Sequence, residues 1–105
     1  MANRENILTP ITLQDVERGY RNGTIYLIDC PHSDGTACQI GEYWFYFGDK
    51  TTDDYTSEEY RKRVPEDEIV SNIFEALEEM RNLEDFENEY WYYRAVLAEA
   101  GTIKE

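Results

Sequence analysis

The chain has one histidine, two cysteines, three prolines and ten basic residues against twenty-three acidic ones. None of its apolar runs approaches the roughly 20 residues of a membrane span. Each shortage removes a class of function. The single histidine, His32, falls in turn-rich sequence and cannot supply the Glu-x-x-His pairs of a di-iron carboxylate bundle. Cys30 and Cys38 are too few for the disulfide framework of a small secreted domain and read as reduced thiols; a cross-strand bridge between them would need an oxidising compartment. Cys30, His32 and Cys38 surround one turn, but a structural zinc site takes four ligands with paired Cys-x2–4-Cys spacing, so no metal is expected. The shortage of bases leaves a formal net charge of −13, which sets the surface against nucleic acid and anionic membranes and in favour of basic proteins or cations. Met1 to Asn6 carry no apolar signal core, and a cytoplasmic location is the expectation.

Catalytic patterns are missing as well. There is no Ser-His-Asp order, glycine-rich phosphate loop or nucleotide fingerprint, and the many carboxylates single out no pair for glycoside hydrolysis. The sequence therefore predicts a non-enzymatic protein without a cofactor, acting through a surface.

What is present is enough to fold. Aromatic residues make up 14% of the chain and hydrophobic ones 41%, which outweighs the disordering effect of the charge. A length of 105 residues has room for one modest core, so residues 1–105 are read as a single α+β domain.

The elements follow from local signals. Thr12 with Asp15 three residues later is a capping box, Leu13, Val16 and Tyr20 fall at helical spacing, and Asn22-Gly23 is a stop; a short helix over Leu13–Arg21 results. Thr24 to Asp29, rich in β-branched and aromatic residues, is a strand closed by Pro31. Asp34-Gly35 then signals a hairpin into a second strand, Thr36 to Ile40. Gly41-Glu42 supplies a two-residue turn into a third strand, Tyr43 to Phe47, completing an antiparallel meander. Alternation puts Tyr43, Phe45 and Phe47 on one face and Trp44 and Tyr46 on the other, so both faces call for cover.

Residues 48–54 read as a surface loop. Thr56 or Ser57 caps a short helix reaching Arg63, and Val64 before Pro65 breaks it, with Pro65 at the first position of the next helix. Ile69, Val70, Ile73, Phe74, Leu77 and Met80 form its apolar stripe. Phe86, Tyr90, Tyr93, Leu97 and Ala100 renew the stripe until Gly101. Two helices meeting near Asn82 and Leu83 are the reading, with one long kinked helix as the alternative. The fold class is α+β: a short N-terminal helix, a three-stranded antiparallel meander, then two or three C-terminal helices packed on the sheet.

Between Glu66 and Glu89 ten acids stand against one base, Arg81. Glu66, Asp67 and Glu68 suit a helix start, as do Glu84 and Asp85 after the break, because the helix dipole favours negative charge there. Glu75, Glu78 and Glu79 have no such local reason and face away from the apolar stripe, where like charges three or four residues apart repel. Asp53, Asp54, Glu58 and Glu59 would extend this surface, and Glu87 and Glu89 continue it. Tyr90-Trp91-Tyr92-Tyr93 encircles its helix at about 100° per residue, which leaves Trp91 or Tyr92 for a second surface. The expected partner-binding residues are thus Glu75, Glu78, Glu79, Asp53, Asp54, Glu58, Glu59, Glu87, Glu89 and Trp91.

A small acidic domain of this architecture, with a one-sided carboxylate surface, resembles the anti-CRISPR proteins of phages and other mobile genetic elements, notably Cas9 inhibitors. The resemblance lies in architecture and charge and carries no shared motif. It implies a bacterial host and a DNA mimic that occupies the arginines reading the short DNA motif, or the strand channel, of a Cas9–guide RNA complex. The alternative reading is an accessory or antitoxin-like module that masks another basic partner. It would be a monomer or a homodimer, the dimer pairing through Trp44, Tyr46 and Trp91.

Overall fold

The computed structural model describes residues 9–31, 35–46 and 55–103. The chain opens with helix α1 (Leu13–Asn22) and continues into strands β1 (Ile25–Asp29), β2 (Thr36–Ile40) and β3 (Tyr43–Phe45). Helices α2 (Ser57–Arg63) and α3 (Glu66–Asn82), a 3-10 turn (Glu84–Phe86) and helix α4 (Glu87–Glu99) follow. Both hydrogen bonds of the capping box at α1 are formed: the Thr12 hydroxyl accepts the Asp15 N–H at 3.1 Å, and the Asp15 carboxylate accepts the Thr12 N–H at 2.9 Å.

The sheet is antiparallel in the order β1-β2-β3, with Ile25 opposite Ile40, Leu27 opposite Cys38, and Cys38 opposite Phe45. This register puts Ile25, Leu27, Cys38, Ile40 and Phe45 on one face, all of them buried. They meet Ile69, Ile73 and Leu77 of α3 and Tyr90, Tyr93 and Leu97 of α4 in one apolar cluster, which Ile11 and Ile103 join from near the two chain ends. The other face of the sheet carries Tyr26, Trp44 and Tyr46, of which Tyr26 and Tyr46 are exposed. Of the third strand as read from the sequence, Tyr43–Phe45 is β3, while Phe47 and the expected loop 48–54 lie outside the described residues, as do His32, Ser33 and Asp34 of the hairpin turn.

α2 is fixed at the end of the sheet. Thr56 is its N-cap, and the Ser57 N–H is donated to the Asp29 carboxylate at 2.8 Å, which holds the Asp29 carboxyl below its ordinary pKa. Val64 is extended, as a residue before proline must be. Pro65 is the N-cap of α3 and not its first residue. Its ψ of 147° is not yet helical, and its carbonyl opens the ladder by accepting the Ile69 N–H at 3.0 Å.

The C-terminal region is two helices. Leu83, extended at φ −101° and ψ 121°, breaks the ladder, and the 3-10 turn advances the chain by a different angle per residue before α4 begins. The apolar stripe therefore does not run through the break: Tyr90, Tyr93 and Leu97 are buried, but Phe86 is exposed, as is Ala100 at the far cap.

Candidate partner-binding groove

Beside β3, where the sheet meets the α3–α4 junction, an apolar groove of about 730 Å³ opens. Its buried lining is Phe45, Ala76 and Tyr93; Trp44, Met80 and Tyr92 form half-buried walls. Four large side chains at the rim stay about half in water: Tyr43 at 55%, Tyr46 and Leu83 at 50%, and Phe86 at 47%. The remaining lining is polar, made of Glu79, Asn88 and Glu89. Among the described residues two carboxylates and no base thus border an aromatic trough.

The four aromatic residues that encircle α4 divide by role. Tyr90 is buried, and its hydroxyl accepts the Ile11 N–H at 2.7 Å, fixing the segment that leads into α1. Tyr93 packs on Phe45 with ring centroids 5.1 Å apart, and burial pushes its phenol up to about 12. Tyr92 turns to the β2–β3 turn, stacking edge-on against Tyr43 at 5.0 Å and accepting the Glu42 N–H at 2.9 Å. Gly41 makes that contact possible. Its φ is +68°, and a Cβ there would stand 2.5 Å from the Tyr92 hydroxyl. Trp91 lies half-buried against Tyr90 at 5.0 Å, and its indole N–H has no partner among the described residues. Tyr92, not Trp91, reaches the groove.

The acidic residues separate in the same way. Glu75 and Glu79 are exposed on α3, and Glu79 borders the groove. Glu78 lies about 100° around the helix from Glu79 and binds the Arg81 guanidinium at 2.8 Å, which holds that cation more firmly charged. Glu84, Asp85, Glu87 and Glu89 are exposed around the start of α4, and Glu89 is the second carboxylate of the groove. Glu58 and Glu59 are exposed in the first turn of α2, which packs on β1 and β2, and Glu58 bridges Lys62 at 3.2 Å; neither lines the groove. Asp53 and Asp54 lie outside the described residues.

Both cysteines are free and buried. Cys38 lies opposite Leu27, three positions before Cys30, and three strand residues span about 10 Å, beyond the roughly 7 Å Cα reach of a disulfide. Burial raises the Cys38 thiol pKa strongly, while Cys30 donates to the Tyr46 hydroxyl at 3.0 Å. His32 is outside the described residues, and among those described no three metal-ligating side chains converge.

Leu83 and Phe86 as groove residues and Arg94 as a buried base are not among the expectations from sequence. The available signal for the first two was position: large apolar residues flanking a helix break, among acids. Arg94 is 3% exposed and donates from Nε to the Thr9 carbonyl at 2.6 Å, a contact across 85 residues that no local pattern encodes.

No protein-family model, curated protein or solved structure gives a significant match to this chain.

Proposed function

We propose that the protein is an acidic, non-enzymatic inhibitor that binds a basic nucleic-acid-binding protein in place of nucleic acid, with a Cas9–guide RNA complex as the first partner to test. One observation carries this reading. From α3 to the first turn of α4, Glu75, Glu79, Glu84, Asp85, Glu87 and Glu89 are exposed and have no ion pair among the described residues. The one base in that stretch, Arg81, is taken by Glu78. At 1.5 Å rise per residue, neighbouring carboxylates on a helix stand about 6 Å apart, a spacing of the order of the phosphates along a nucleic-acid strand. A groove lined with arginine and lysine to neutralise phosphates meets a similar density of charge here.

The test is equilibrium binding to the purified Cas9–guide complex at rising salt. Affinity should fall at least tenfold between about 50 and 200 mM salt, because exposed charges carry the contact. The triple reversal Glu75→Lys, Glu79→Lys and Glu87→Lys should weaken binding by about a hundredfold or more while circular dichroism stays native. Salt-insensitive binding, or unchanged affinity in the reversed protein, would contradict the mimic.

A further inference from the structure

We infer that the groove beside β3 takes a basic, amphipathic segment of the partner: one bulky aliphatic side chain seats against Trp44, Met80 and Phe86, and flanking Lys or Arg residues meet Glu79 and Glu89. This rests on the proposed binding to a basic protein and adds that charge alone does not make the contact.

Charge decides the occupant. Among the described residues the groove's charged border is Glu79 and Glu89 with no cation, so an apolar segment bearing bases gains at both the trough and the rim. A second copy of the chain is the poorer fit. Symmetric pairing through this face would put the same two carboxylates, Glu79 and Glu89, on both sides of the contact, between two chains of formal charge −13 each. Nucleic acid and anionic membrane are repelled by the same carboxylates. The trough's volume of about 730 Å³ holds more than a single methyl group, and the half-exposed Tyr43, Tyr46, Leu83 and Phe86 lose contact with water only when something covers them.

The two tryptophans provide the readout. Trp44 lines the groove and Trp91 does not, so Trp91→Phe leaves one reporter at the site. The probes are two tryptophan-free peptides of equal positive charge, one with a leucine stripe and one with serine in place of the leucines. In Trp91→Phe, the leucine peptide should shift Trp44 emission to the blue and bind about tenfold tighter than the serine peptide, as burial of one large aliphatic side chain gives. In the otherwise native chain, Leu83→Ser with Phe86→Ser should erase that tenfold preference and leave binding of the serine peptide unchanged. Equal binding of both peptides with no change in Trp44 emission would overturn the groove assignment and leave the electrostatic reading standing. Failure of both peptides to bind would overturn the two together. Self-association of the native chain in sedimentation equilibrium, lost in the Leu83→Ser, Phe86→Ser protein, would assign the groove to a second copy and overturn it too.

Discussion

Glu78 holds the only cation of α3, the Arg81 guanidinium, at 2.8 Å. The pair is partly shielded from water, with about a third of each side chain exposed. Glu75 and Glu79 on the same helix are thereby left without a counter-charge among the described residues. Removing the cation with Arg81→Ala should cost the fold about 0.5–1 kcal/mol, the range of a partly exposed pair, and should strengthen binding to a basic partner at low salt. Urea denaturation and a low-salt titration check the two halves, and weaker binding in Arg81→Ala would place the partner contact elsewhere.

Gly41 and Tyr92 make a second coupled pair. Gly41→Ala introduces a Cβ both at φ +68° and against the Tyr92 hydroxyl, and the backbone part alone costs roughly 1–2 kcal/mol. Tyr92→Phe loses the hydrogen bond from Glu42, worth about 1 kcal/mol, and also removes the clashing oxygen. The double variant should therefore be less destabilised than the sum of the singles in a denaturation cycle.

Tyr93 ties stability to alkaline pH. Its folded-state pKa of about 12 lies above the ordinary value of 10.0 because burial penalises the phenolate, and burial raises Tyr90 in the same direction. Below pH 10 folded and unfolded chains both keep the proton, so the contribution is whole. As pH rises from 10.0 toward about 12 the unfolded chain releases it first, and stability falls through that window. Tyrosinate absorbance should rise in two stages in the native protein and in one near the ordinary value after unfolding.

The thiols should be inert in the native state, because only a thiolate is a nucleophile and burial keeps Cys38 protonated. A thiol reagent at neutral pH should find neither cysteine until the protein is unfolded. Tyr46→Ala removes the hydroxyl that Cys30 contacts and should hasten reaction at Cys30 without exposing Cys38. Rapid reaction of Cys38 in the native protein would contradict its place in the core.

Where the chain's shape is set within a few residues, the sequence discloses it. Thr12 and Asp15 cap a helix, Gly41 makes a tight turn, and Val64 before Pro65 cannot remain helical; each depends on neighbours alone. The stripe from Ile69 to Leu77 is legible for the same reason, since one helix fixes its own phase. That phase is lost across the 3-10 turn, so Phe86 falls at the rim of the groove and not in the core. The groove joins Tyr43–Tyr46 to residues thirty or more positions later, and no local pattern brings Leu83 to Trp44. Of the acids, Glu75 and Glu79 are presented freely, whereas Glu78 is engaged because Arg81 lies one turn away on its own side of the helix.

Competition with DNA tests the central claim most directly. A labelled duplex carrying the short recognition motif is titrated onto a Cas9–guide complex at several fixed concentrations of this protein. If its carboxylates occupy the site that reads or holds DNA, the apparent Kd for the duplex rises in proportion to the protein added, and no complex contains both. A duplex affinity that does not change, with protein and DNA bound together, would contradict the account.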